Sequence, residues 1–411
     1  MITSCPDCGK SIQTAFKFCP YCGKHLPTGE HEEPQSLLGS LISSFRDSRR
    51  ESSSSGSSPK KVKWSSCVTS SPSSLFSDAS GSKDTPSPCK KPKGTVLTDK
   101  NGQHWKLGSL QTRNDQGILY EAEPVSACAA SSRKQRFSLK LDAKDGRLFN
   151  EQNFFQRAAK PLQVNKWKRL HASPLLAIPT CVGFGVHQDR YRFLVLPMLG
   201  RSLQSTLDDH PKHKMSMQSV FQMACRLLDA LEFLHENEYV HGNVTAENIF
   251  VNPEDLSQVT LAGYGFAFRY SPGGRHVAYV EGSKSPHEGD LEFISLDVHK
   301  GCGPSRRSDL QTLGYCLLKW LYGTLPWTNC LPNTEDIMKL KQKFLDNPET
   351  LVGKCSRWMS PSETLQKYLK VVMALKYDEK PPYALLRNDL EAVLQDLRVS
   401  AYDPMDLRMV P

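Results

Sequence analysis

The stretch Tyr239-Val240-His241-Gly242-Asn243-Val244-Thr245-Ala246-Glu247-Asn248-Ile249-Phe250-Val251 decides the fold. It sets a polar, irregular loop between two short strands, Tyr239-Val240 and Asn248–Val251, and a third strand follows at Val259–Leu261. Upstream, Val220, Ala224, Leu227, Leu231 and Leu234 recur at four- and three-residue steps, which predicts a strongly amphipathic helix ending near Asn237. Downstream, Asp309–Gly323 is apolar on nearly every face and reads as a helix buried through the centre of its lobe. Further back, Phe137-Ser138-Leu139-Lys140-Leu141 alternates like a strand and carries a lysine, and a helical stretch around Asn150–Ala159 follows it. Strands and helices alternate along this part of the chain, and the expected class is α+β.

Three segments then suggest a family. Phe154-Phe155-Gln156-Arg157-Ala158-Ala159-Lys160, Pro304-Ser305-Arg306-Arg307-Ser308-Asp309-Leu310 and Leu313-Gly314-Tyr315-Cys316 resemble the vaccinia-related kinases, relatives of casein kinase 1. The resemblance is nearest to that family's inactive branch. It implies a two-lobed protein kinase fold over residues 94–411, the first lobe to about 198 and the second from about 199, and a history of serine/threonine phosphorylation. Phosphoryl transfer needs a glycine loop over the phosphates, a lysine on them, a base for the hydroxyl and carboxylate ligands for magnesium. The expected glycine loop, between strands near Leu107 and Leu119, reads Gln111-Thr112-Arg113-Asn114-Asp115-Gln116. Missing glycines remove close backbone approach to phosphate, and Asp115 sets a negative charge where anions dock. Active relatives carry Asp at the position of Asn243 and Lys at that of Thr245. An amide cannot take up the substrate proton. The family's Asp-Tyr-Gly metal motif stands here as Gly263-Tyr264-Gly265, and glycine offers magnesium no carboxylate. Each such loss costs on the order of 10²–10³ in rate, so the expectation is a pseudokinase without ATP or magnesium. Lys140 and Glu151 at the strand-lysine and helix-glutamate positions, with His241, Asn248 and Asp309, are expected to remain as scaffold, the first two as a brace for the small lobe.

Ahead of this module, Cys5-Pro6-Asp7-Cys8 and Cys19-Pro20-Tyr21-Cys22 form two CxxC knuckles, each followed by glycine. Four thiolates at this spacing suit one tetrahedral structural zinc. Residues 1–26 are too short for a core, so the metal is expected to supply the folding energy, on the order of 10 kcal/mol. They resemble a short zinc ribbon. Residues 27–93 are serine-rich with almost no apolar periodicity and are expected to be disordered. Arg49 and Arg50, then Lys60, Lys61 and Lys63, read as a bipartite nuclear localisation signal for an import receptor. Proline follows Ser58, Ser71, Thr85 and Ser87, which marks these as candidate phosphosites; phosphate on Ser58 would add roughly −2 charge beside the import signal.

The formal charge of +9 suggests attraction to anionic partners but says nothing of the fold. The cysteine number is odd, 13, and nine follow no spacing, which fits a reduced compartment. No signal peptide and no membrane-length apolar run opens the chain, so the expected setting is intracellular, chiefly the nucleus with some protein in the cytoplasm. The leading functional expectation is a nuclear scaffold or allosteric regulator whose partner is a signalling kinase or phosphatase. Alternatives are a weakly active atypical serine/threonine kinase, and a nucleic-acid-binding protein using the ribbon and basic linker. The last is less favoured because that linker lacks interleaved stacking aromatics.

Overall fold

A computed structural model describes residues 2–4, 11–13, 91–114, 117–125, 136–357 and 359–407. The chain divides into two units, residues 1–83 and 84–411. In the first, β1 (Ile2–Ser4) pairs antiparallel with β2 (Ser11–Gln13). Cys5, Cys8, Cys19, Cys22, Arg49, Arg50, Lys60, Lys61, Lys63 and the four candidate phosphosites lie outside the described residues.

The second unit opens with an antiparallel six-stranded sheet: β3 (Val96–Thr98), β4 (His104–Asn114), β5 (Gly117–Pro124), β6 (Phe137–Ala143), β7 (Gly183–His187) and β8 (Tyr191–Pro197). Their order is β3-β4-β5-β6-β8-β7. Strand alternation sends Phe137, Leu139 and Leu141 of β6 to one face, where they cluster with Ile118, Tyr120, Phe193 and Val195. The intervening Lys140 faces the other way, towards α1 (Leu148–Arg157). A second short helix, α2 (Pro161–Leu170), follows with proline in its first turn.

Beyond the sheet the chain is mainly helical: α3 (Leu203–Asp209), α4 (Met217–Glu236), α5 (Leu296–His299), α6 (Arg306–Tyr322), α7 (Thr334–Asp346), α8 (Pro348–Ser356), α9 (Glu363–Ala374) and α10 (Tyr383–Asp396). The Ser216 hydroxyl caps α4 by accepting from Ser219 N, and Asn237 closes it. Every residue of α4 from Ser219 to His235 is buried, more than one face allows, because α10, α6, β10 (Tyr239–Val240) and β12 (Asp255–Leu261) surround it. Helix α6 is also sheathed nearly all round and ends on Gly323, whose left-handed backbone stops it. The loop read first lies between β10 and β11 (Ile249–Asn252); β11 pairs with both β12 and β9 (Arg201–Ser202). Strand β10 in turn pairs with β13 (Phe268–Arg269).

Two expected boundaries shift. Asn248 closes a 3₁₀ turn, Ala246–Asn248, instead of opening the strand. The expected glycine loop from Gln111 onward is paired strand as far as Asn114, which faces Gly117 across the hairpin. The β-branched Thr112 and Ile118 suit a ladder rather than a loop. Of the predicted loop residues, Asp115 and Gln116 lie outside the description. Among the described residues no helix is long and apolar enough to cross a membrane.

Candidate functional site

The site lies between the sheet and the helical part, and its lower wall is built around one carboxylate. Asp309, in the first turn of α6, accepts from His241 N at 2.7 Å and Gly242 N at 2.9 Å. His235 Nε2 lies 2.9 Å from the same carboxylate. Burial, opposed by Asp309, lowers the pKa of His235, so its ring is neutral and gives its Nε2–H to Asp309. Its Nδ1 is then left to accept from the Tyr383 hydroxyl, which lies against it. His241 is likewise buried and lowered by burial. It donates Nε2–H to Ala262 O at 2.9 Å and accepts from Asn243 N at 3.2 Å through Nδ1. Two buried neutral histidines thus have both ring nitrogens satisfied, which fixes the backbone of 241–243.

Within that frame the loop carries the neutral polar side chains Asn243, Thr245 and Asn248 and the acidic Glu247, which lines the cavity with Asn248. Asn243 is buried, and its Oδ1 has no hydrogen-bond partner among the described residues. Thr245 is buried too. Asn248 Nδ2 donates to Asn243 O at 2.9 Å and reaches Thr245 Oγ1 at 3.5 Å, so it serves the loop itself. Gly263 sits in the left-handed region at φ 81° and caps the turn Tyr264–Phe266. Tyr264 stacks on Phe154 of α1 with centroids 4.1 Å apart, and its edge meets His241 at 5.0 Å. Its hydroxyl donates to Leu261 O at 2.7 Å, and burial raises its pKa well above the ordinary value. Asn150, also on α1, donates to Gly265 O at 3.1 Å and Ala267 O at 2.6 Å. An aromatic stack and an amide bridge therefore tie α1 to the segment after β12.

The upper wall supplies an ion pair and a plug. Lys140 Nζ lies 2.7 Å from Glu151 Oε2, and Glu151 is 1% exposed with its other oxygen unpartnered among the described residues. Gln111 reaches from β4 to the segment connecting the two parts: its Nε2 donates to Met198 Sδ at 3.7 Å, and its Oε1 accepts from Ser138 Oγ at 3.3 Å. Ser138 Oγ accepts Leu199 N at 3.2 Å, so that connecting amide is already engaged. Gly117 belongs to the same wall at φ 119°, where a Cβ would come 2.7 Å from Leu141 O; only glycine fits. Between these walls Thr112, Leu119, Leu196, Leu199, Phe250 and Ala262 leave a cavity of about 30 Å³, room for a water or two.

The structure thus brings together Lys140 with Glu151, and His241, Asn243, Thr245 and Asn248 in one loop held by Asp309; Gly263 and Asn248 line the cavity with Lys140 and Glu151. Asn114 pairs by backbone at the hairpin end. The sequence reading missed the reach of Gln111 to Met198 and the bridge from Asn150, because both contacts join residues far apart in the chain and carry no local motif. Among the described residues no group of His, Cys, Asp and Glu gathers into a metal site.

Comparison with known proteins agrees with this architecture. The protein kinase domain model matches residues 134–385 and a zinc-ribbon domain model matches residues 4–26. The chain is 70% identical to Serine/threonine-protein kinase VRK3 of Bos taurus, over 99% of this chain and all of that one. It is 66% identical to the protein of that name from Homo sapiens over 100% of both chains. Against the B1 kinase of variola virus identity is 34%, covering 72% of this chain and 97% of that protein. A solved structure of vaccinia related kinase 3 aligns with TM-score 0.74 and 78% identity, covering 78% of this chain and 96% of that one. With its kinase fold, its site and these relatives in agreement, the chain belongs to the vaccinia-related kinase family.

Proposed function

We propose that this chain is a pseudokinase: its kinase fold has lost phosphoryl transfer and serves as a nuclear scaffold or allosteric regulator of a signalling kinase or phosphatase. The observation that carries this reading is the cleft. The cavity lined by Thr112, Lys140, Glu151 and Gly263 measures about 30 Å³, small beside the ~300 Å³ at which ligand pockets begin. The chemistry argues the same way. Asn243 cannot act as base, Thr245 brings no cation to a transferring phosphoryl group, and Gly263 offers magnesium nothing. Meanwhile the interactions that hold a kinase in its ordered, closed arrangement persist: the Lys140–Glu151 pair, the stack of Phe154 on Tyr264, and Asp309 under the loop. A fold kept rigid without its reactive groups is suited to presenting a surface.

Residues 4–26 match a zinc-ribbon model, and Cys5, Cys8, Cys19 and Cys22 are the ligands we assign to one structural zinc. The nuclear setting rests on Arg49, Arg50, Lys60, Lys61 and Lys63. Phosphate on Ser58, Ser71, Thr85 or Ser87 would change the charge around that signal.

The test is reconstruction. Asn243→Asp with Gly263→Asp restores one base and one ligand but leaves the filled cleft and Thr245. Both this double variant and the natural chain are expected to give no labelled phosphate on themselves or on a basic protein substrate. Magnesium-dependent transfer by the natural chain, abolished by Lys140→Met, would overturn the reading and establish the weak-kinase alternative.

A further inference from the structure

Helix α2 carries an outward face that no contact among the described residues uses. Its inward face is committed: Val164 and Trp167 are buried, and Trp167 Nε1 donates to Glu236 Oε2 at 2.8 Å. Trp167 also stacks on His171 at 4.0 Å, and His171 Nε2 lies 3.6 Å from Glu236. Positions 162, 165, 166, 169 and 170, at helical steps of three and four, are all exposed. At the two ends of that face stand Leu162, 82% exposed, and Leu170, 72% exposed. These are the two most exposed large apolar residues among those described. Eight positions of helix separate them by roughly 12 Å. Between them lie Lys166 and Arg169, with Lys160 just ahead of the helix. No acidic residue occurs in the sequence between Glu151 and Asp189, and the carboxylate that does meet this helix, Glu236, is taken up by Trp167 and His171.

A single exposed leucine is ordinary, but two at opposite ends of one short basic face have the layout of anchors rather than chance. We infer that the outer face of α2 is a docking surface for an acidic amphipathic helix of a partner protein. The two leucines would enter apolar positions about two turns apart, and Lys166 and Arg169 would meet carboxylates between them. Charge complementarity selects the occupant. An anionic membrane would meet the same cations, but the inserting helix would need a continuous apolar stripe. Here the remaining large apolar side chains of α2, Val164 and Trp167, are turned into the core. The inference deepens the proposed scaffold role by giving it a face, and it rests on that role. A failure at α2 leaves the cleft chemistry as it stands.

The experiment uses the full chain and a fluorescein-labelled synthetic helix bearing two leucines two turns apart with glutamates between them, titrated by fluorescence polarisation. Saturable binding is expected. Leu162→Ala with Leu170→Ala, and separately Lys166→Glu with Arg169→Glu, should each weaken it by about tenfold or more. All four side chains are exposed, so melting temperatures should stay unchanged, which separates lost contact from lost fold. Added salt should weaken the natural chain more than the charge-reversed one. The proposal is overturned if the peptide fails to bind, if either double variant binds like the natural chain, or if phosphatidylserine vesicles capture the chain through Leu162 and Leu170 while the peptide does not.

Discussion

Asp309 shows how far one side chain can organise a site without reacting. Its two oxygens take two backbone amides and a histidine N–H, so removing it would strand several buried donors at once. The histidines around the second lobe make this arrangement sensitive to acid. His235, His241 and His299 all have lowered pKa values, chiefly through burial, and His299 falls to about 2 because Lys341 and His287 add to that effect. In the unfolded chain each titrates near ~6.5. Below that pH the unfolded chain takes up protons that the folded rings refuse. Stability present above it is therefore lost as pH falls, by up to ~1.4 kcal/mol per pH unit for each such ring. Denaturant melts at about pH 7.5 and about pH 5.5 should show a clear fall in unfolding free energy. An unchanged or higher unfolding free energy at the lower pH would contradict the neutral assignment of these buried rings. At this scale the sequence was informative wherever chemistry is carried by residue type. Asn243, Thr245 and Gly263 declare what they cannot do by composition alone. Gln111 does not, because its contact with Met198 spans 87 positions.

Among elements, α4 and α6 were the most legible. Their apolar content is high enough that only a buried helix accommodates it, and caps Ser216 and Gly323 stand where periodicity stops. The β4–β5 hairpin was the least legible. A reading through the family's glycine loop predicts an open turn from Gln111, whereas strand pairing continues to Asn114. Without the glycines that let that loop leave the sheet, ladder hydrogen bonds win. The two CxxC knuckles support a prediction of their own. The full chain should bind one zinc, and Cys5→Ser should lose it while the melting of the kinase-like part is unchanged, because the serine-rich stretch is expected to uncouple them. Elemental analysis checks this. Stoichiometric zinc retained by Cys5→Ser would contradict the ligand assignment.

For the whole molecule, the proposed reading is one of selective loss: Asn243, Thr245 and Gly263 stand where the family resemblance implies charge for ATP, while Lys140, Glu151 and Asp309 order the fold. A buried ion pair such as Lys140–Glu151 is a poor source of net stability, since desolvation offsets most of its attraction. On the proposed pseudokinase reading, its service is geometric. It keeps α1 against β6 and the Phe154–Tyr264 stack in register. The proposed nuclear setting rests on a different part of the chain. Replacing Lys60, Lys61 and Lys63 with alanine should shift a fluorescent fusion from nucleus to cytoplasm; a triple variant that stays fully nuclear would remove the import role from this cluster.

The central claim, that the cleft no longer takes nucleotide, is tested most directly by thermal unfolding of the purified full chain with and without millimolar Mg-ATP. A ligand at 100 times its dissociation constant adds ~2.7 kcal/mol and would raise the melting temperature by a few degrees. The filled cavity, the engaged Leu199 amide and the bare Gly263 predict no shift, with magnesium or without it. A saturable, magnesium-dependent rise in melting temperature would contradict the account.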